Sequence, residues 1–218
     1  MQKALIFANG DADDGTMVQR VLSDAEHAHI IAADGGTRMA AFYGFDVDIV
    51  IGDMDSLSEH ELKHLEARNV TLERYPPAKN ETDLELALIW AASHQYNWIR
   101  IIGGRGSRFD QEIANVYLLT LPALAECDVA LAAGKQSIHV LRPGTYTITG
   151  NINDTISLIP IKGDVLHIST QGLRYPLNDE TLQFGFARGV SNVLSAASAQ
   201  VSFEQGLLLL VHTIGQAE

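Results

Sequence analysis

Aspartates recur in this chain where apolar runs of strand length stop. Ile-Ile-Ala-Ala at 30–33 leads into Asp34-Gly35-Gly36, and Ile49-Val50-Ile51 leads into Gly52-Asp53-Met54-Asp55-Ser56. An apolar run closed by Gly and Asp reads as a buried parallel strand that delivers a carboxylate to the edge of its sheet. Open α/β sheets bind ligands at that edge. Asp53 and Asp55 are two apart, so in extended chain both point to one side. Like charges held together in a low-dielectric cleft repel unless a cation lies between them. Oxygen-only ligands favour a hard cation, magnesium before zinc. Alone, Asp-x-Asp reads as a solvated acidic turn, and it is the recurrence of the pattern further along that points to a metal site.

Two further polar clusters follow predicted strands. Lys79-Asn80-Glu81-Thr82-Asp83-Leu84-Glu85 opens a helix, with Thr82 and Glu85 spaced as a capping box. Asp83 suits the helix dipole there and can complete a carboxylate set with Asp53 and Asp55. Lys79 lies just before the same helix start, where a phosphate complements both. Gly103-Gly104-Arg105-Gly106-Ser107-Arg108-Phe109-Asp110 is a Gly-rich turn into another helix. Its backbone N–H groups can line an anion site, and Arg105 and Arg108 can add charge-assisted bonds. A tight turn with Asp110 as a plain N-cap explains the same residues without a ligand. Neither a Walker sequence nor a dinucleotide fingerprint is present. His60 and His64 are four apart on a polar helix without a nearby third ligand, which reads as a solvated face.

These clusters need a scaffold, and the chain supplies one. Strand-like runs at 3–8, 30–33, 49–51, 70–75, 98–102 and 129–133 alternate with helical patterns at 16–22, 37–43, 58–68, 82–92 and 110–125. That alternation predicts an α/β domain, a mainly parallel sheet with helices on both faces. After Gly134 the runs turn β-branched or alternating and are cut by Pro-Gly, Gly-Asn and Lys-Gly-Asp turns. They predict an all-β sandwich. The domains expected are 1–133 and 134–218.

Composition narrows the partners. The net charge of −12 argues against nonspecific nucleic-acid binding, which needs Lys and Arg on phosphates. Residues 1–130 hold 10 Lys+Arg against 21 Asp+Glu, so the acidic excess lies where the Asp clusters are. An anionic substrate needs a cation to approach there. Cys127 is the single cysteine, so no disulfide within the chain and no thiolate zinc cluster is possible. The first apolar stretch is too short for a signal segment or membrane span, and a cytoplasmic soluble protein is the expectation.

Taken together, the motifs resemble the thiamine pyrophosphokinase family. They are Ala-Ala-Asp34-Gly35-Gly36; Gly52-Asp53-x-Asp55-Ser56-Leu57; Lys79-x-x-Thr82-Asp83-Leu84-Glu85-Leu86-Ala87; and Ser107-Arg108-Phe109-Asp110 followed by Ala114-Asn115. Looser matches follow at Gly172-Leu173-Arg174-Tyr175-Pro176-Leu177 and Gly189-x-Ser191-Asn192. The resemblance implies an ATP-binding catalytic α/β domain and a thiamine-binding β-sandwich, assembled as a homodimer with thiamine between subunits. It implies magnesium-dependent transfer of pyrophosphate from ATP to the thiamine hydroxyl, releasing AMP. Carried over by position, Asp53, Asp55 and Asp83 hold metal and triphosphate, with Asp34 and Asp110 nearby. Lys79 and Arg108 contact phosphate, and Ser191 and Asn192 recognise the thiamine pyrimidine. This chain has Asn80 where the family usually has Asp, Ser107 for Gly, Gln111 for His, and Val193 where Glu is common. Those departures bear on rate and substrate range. They also keep open a non-catalytic nucleotide or thiamine sensor, beside a related phosphotransferase with another acceptor.

Overall fold

The computed structural model describes residues 1–216. It falls into two compact units that meet at Gly134 and Lys135, one residue beyond the boundary expected from composition.

The first unit alternates strand and helix: β1 (Lys3–Phe7), α1 (Thr16–Asp24), β2 (His29–Ala33), α2 (Gly36–Phe42), β3 (Ile49–Gly52), α3 (Glu59–Ala67), β4 (Thr71–Arg74), α4 (Asp83–Ser93), β5 (Trp98–Ile102), α5 (Phe109–Leu118) and β6 (Asp128–Ala133). Its strands lie in the order β6-β5-β1-β2-β3-β4, and every pairing among them is parallel. The chain winds one way from β1 to β4, then crosses back to β5 and β6. Right-handed crossovers in opposite directions put α1 to α3 on one face and α4 and α5 on the other. Ile6, Ile31, Ile51, Ile101 and Leu131 are fully buried, as expected of strands covered on both faces.

The predicted helix over 110–125 is broken. α5 stops at Leu118, and Pro122–Leu124 forms a separate 3₁₀ turn. Leu121 before the proline is extended, with ψ 135°. Proline has no N–H to donate and disfavours a helical residue before it, so the helix cannot run through.

The second unit is antiparallel. One sheet has β7 (Gln136–Leu141), β14 (Leu208–Thr213), β9 (Thr155–Pro160) and β12 (Asn192–Val193); the other has β8 (Gly144–Thr149), β13 (Ser198–Phe203), β10 (Val165–Gln171) and β11 (Glu180–Leu182). Leu158, Leu208 and Leu210 from the first sheet share one apolar core with Ile148, Ile168 and Val201 from the second. β11 and β12 escaped prediction because three and two residues are too few to show alternation. Among the described residues no helix is long and apolar enough to cross a membrane.

Candidate active site

Three of the five candidate aspartates meet. One carboxylate oxygen each from Asp34, Asp53 and Asp83 lies within 4.8 Å of the others. Asp34 follows β2, Asp53 follows β3 and Asp83 opens α4. Gly52 makes the approach possible: at φ +151° its missing Cβ would lie 2.8 Å from Asp83 Oδ1 and 3.1 Å from Asp34 Cβ. Asp34 is 6% exposed. Its Oδ2 accepts from the Ser56 hydroxyl, while its buried Oδ1 has no hydrogen-bond partner among the described residues. An unpaired buried carboxylate oxygen is costly and calls for a cation.

Lys79 is the cation the chain itself provides. Its Nζ donates to Asp83 Oδ1 at 2.6 Å and to Asp53 Oδ2 at 3.2 Å. Burial works against the ammonium's charge, but these two bonds outweigh it and raise the Lys79 pKa. The carboxyls are driven apart. Asp53 is lowered by the Asp55 backbone N–H, with help from Lys79. Asp83 is raised, because burial outweighs the opposing pull of Lys79. Divergent acidities in one cluster are characteristic of functional sites.

Asp55 stands apart from this group of three, for a local reason. β3 ends at Gly52, Met54 takes φ +66° with its side chain buried, and Asp55 N–H folds back onto Asp53 Oδ1 at 3.2 Å. The chain is no longer extended, so two-residue alternation does not describe it, although the Asp53 and Asp55 side chains still lie close enough to interact. It is exposed, but the Asp53 charge still raises its pKa.

A hollow of about 390 Å³ opens beside the carboxylates, with Asn9, Asp11, Asp34, Asp83, Arg105 and Arg108 among its walls. It sits where β1 and β5 lie side by side and the strand order reverses, the switch point at which such sheets bind ligands. The loops after β1 and β5 are bonded together, Gly10 N–H to Gly103 O at 2.9 Å and Asp11 N–H to Arg105 O at 2.9 Å. A Cβ on Gly10 would lie 2.1 Å from Arg105 O. Sequence reading left Asn9-Gly10-Asp11 out of the site, although it too closes an apolar strand with Gly-Asp. Arg108 and Asp110 are exposed and paired with each other, Nε to Oδ1 at 3.2 Å. Arg108 borders the hollow, whereas Asp110 is not among its walls.

α4 is started by Thr82, whose Oγ1 accepts from Glu85 N–H at 3.2 Å. Among the described residues the return bond from the Glu85 carboxylate does not form, so the capping box predicted here is half made; the complete one is at Ser58 and Glu61. Because the cap fixes the turn that carries Asp83, Thr82→Ala is expected to cost about 1 kcal/mol in urea unfolding. A loss below a few tenths would show the cap to be idle.

In the second unit Ser191 is exposed at φ +58°, with its N–H on Ser157 Oγ at 3.1 Å. Asn192 is 6% exposed and committed to backbone. Its Oδ1 accepts from Tyr175 N–H at 3.0 Å and Val193 N–H at 2.9 Å, and its Nδ2 donates to Tyr175 O at 2.6 Å. Asn192 therefore holds Tyr175, whose own side chain is exposed.

The family model for the thiamin pyrophosphokinase catalytic domain matches residues 19–131, and that for the thiamin pyrophosphokinase vitamin B1 binding domain matches residues 139–208. A thiamine pyrophosphokinase of Bacillus subtilis is 32% identical over 189 residues, 86% of this chain and 88% of its own. The crystal structure of thiamine pyrophosphokinase from that organism aligns with a TM-score of 0.86 at 28% identity, covering 98% of this chain and 99% of the other. The thiamin pyrophosphokinase structure from Geobacillus thermodenitrificans gives 0.84 at 26% identity, covering 98% and 97%. With both domain models matched in order and 32% identity to a relative over 86% of the chain, this chain belongs to the thiamine pyrophosphokinase family.

Proposed function

We propose that this enzyme transfers the pyrophosphoryl group of ATP to the hydroxyl of thiamine, giving thiamine diphosphate and AMP, with magnesium as its cation. The observation that carries the reading is the Asp34–Asp53–Asp83 group beside a switch-point hollow. An all-oxygen donor set with an orphaned buried Asp34 Oδ1 fits a hard divalent ion, so these three residues would hold it. When bound, magnesium neutralises phosphate charge and polarises the phosphorus under attack.

The remaining work falls to the chain. Transfer of this kind needs positioning and charge compensation more than covalent catalysis. The alcohol oxygen attacks the β-phosphorus, and the bond from that phosphorus to the α-phosphate oxygen breaks, so AMP leaves. Arg108 exchanges Asp110 for phosphate, as an exposed pair can at little cost. Lys79 stays against Asp53 and Asp83 and turns its remaining donor capacity towards the polyphosphate. The hydroxyl proton goes to the Asp55 carboxylate, which is exposed and made more basic by its neighbour Asp53. Ser191 and the Tyr175 held by Asn192 contribute to the thiamine site. A homodimer is part of the proposal, supported by the exposed Tyr175, Phe184 and Phe186 of the second unit. A cytoplasmic location belongs to it as well, in keeping with the single, unpaired Cys127.

An assay with ATP, magnesium and thiamine that separates AMP from ADP tests the reading. Thiamine diphosphate and AMP should form in equal amounts. ADP as the product, or AMP formed without thiamine, would overturn it.

A further inference from the structure

The hollow holds an anion of the chain's own. Glu112 stands in α5, and its carboxylate reaches back over the Gly-rich loop. Its Oε1 accepts from Gly106 N–H at 3.1 Å and lies 3.6 Å from Arg105 Nε. All three residues border the hollow. A backbone N–H in a Gly-rich turn and a guanidinium are the donor types that hold phosphate. The neighbouring N–H groups of Gly10 and Asp11 are bonded to the carbonyls of Gly103 and Arg105, which cannot move without the loops. Gly106 N–H is different, because its acceptor ends a long, rotatable side chain that is 24% exposed. Arg105 also lies 3.5 Å from Asp13, so it remains braced when Glu112 turns away.

We propose that Glu112 is a stand-in for phosphate: it occupies the Gly106–Arg105 anion site, the polyphosphate of the nucleotide must displace it, and it thereby sets nucleotide affinity. The proposal rests on the nucleotide-binding reading of the hollow. It makes Glu112 an affinity-determining residue. The carboxylate lies on cationic and N–H partners, outside the Asp34–Asp53–Asp83 group.

Calorimetric titration of a non-hydrolysable ATP analogue with magnesium tests it on the intact protein, Glu112→Gln and Glu112→Ala. Gln keeps the length and an acceptor for Gly106 but removes the charge; Ala removes both. Both variants should bind about three- to tenfold tighter at low salt, because a like charge no longer opposes the polyphosphate. The gain should shrink at high salt, where a partly exposed charge is screened. KM for ATP should fall in parallel while kcat does not rise. Unchanged or weaker binding in Glu112→Gln, with an unaltered thermal midpoint, would make Glu112 a brace for the loop and overturn the proposal. If Glu112→Ala does not fold, Glu112→Gln decides alone. If the unaltered protein binds no analogue, the nucleotide reading itself fails, and this inference with it.

Discussion

Asp53→Asn is expected to lower the rate of pyrophosphoryl transfer about a thousandfold, roughly 4 kcal/mol of transition-state stabilisation, with little change in stability. Asn has the size of Asp, and its carbonyl oxygen can still accept from Lys79 or from the Asp55 N–H, the two groups that hold Asp53 now. What changes is charge. Three carboxylates with one ammonium become two with one, which leaves a much weaker claim on a divalent cation. The magnesium concentration for half-maximal rate should therefore rise. The Asp55 carboxyl should titrate at lower pH, since Asp53 is the largest cause of its raised pKa. An NMR titration reads that shift without any substrate. Unfolding should stay close to the parent, because one lost interaction with Lys79 is offset by relief of repulsion with Asp34 and Asp83. Full activity in a well-folded Asp53→Asn would remove the carboxylate group from the mechanism.

The carboxylates that meet are those whose positions follow from element ends. Asp34 and Asp53 close apolar runs, and Asp83 follows an N-cap threonine, so strand and helix boundaries alone send all three to one edge of a parallel sheet. Two things could not be read. The periodicity of extended chain sets Asp55 beside Asp53, but the strand ends before it and Met54 takes a left-handed conformation, so the backbone there departs from that alternation. That choice is made by packing Met54 into the core with Leu57 and Leu65. The second is the loop after β1. Its nearness to the loop after β5 depends on β5 lying next to β1 and not next to β4, a choice of strand order made by tertiary packing. Asn192 is a smaller case of the same kind. Nothing in the spacing of Gly189-x-Ser191-Asn192 shows that the fold spends the Asn192 amide on Tyr175, seventeen positions away in sequence.

In the second unit the largest expected effect on stability belongs to Asp154→Ala, at about 3–5 kcal/mol in urea unfolding. Asp154 is 2% exposed and its His212 partner 6%. The carboxylate accepts from Asn151 N–H and Gly215 N–H at 2.8 Å each, and lies 2.9 Å from His212 Nε2. It thus joins the turn before β9 to His212 in β14 and to Gly215, two residues beyond that strand's end. Alanine leaves the N–H groups of Asn151 and Gly215 and a buried imidazole without this acceptor. Burial by itself would raise the Asp154 pKa, but the bonds from Gly215, Asn151 and His212 outweigh it and lower the value. The sign of the pH effect follows. A carboxyl lowered by folding contributes its full stability above the ordinary carboxylate pKa and loses it as pH falls through the folded value. The parent protein should therefore lose stability across that acid window, and Asp154→Ala should be flatter there, narrowing the gap between them. A loss under 1 kcal/mol at neutral pH, or a gap that widens in acid, would show that this buried carboxylate is not what ties the end of β14 to the start of β9.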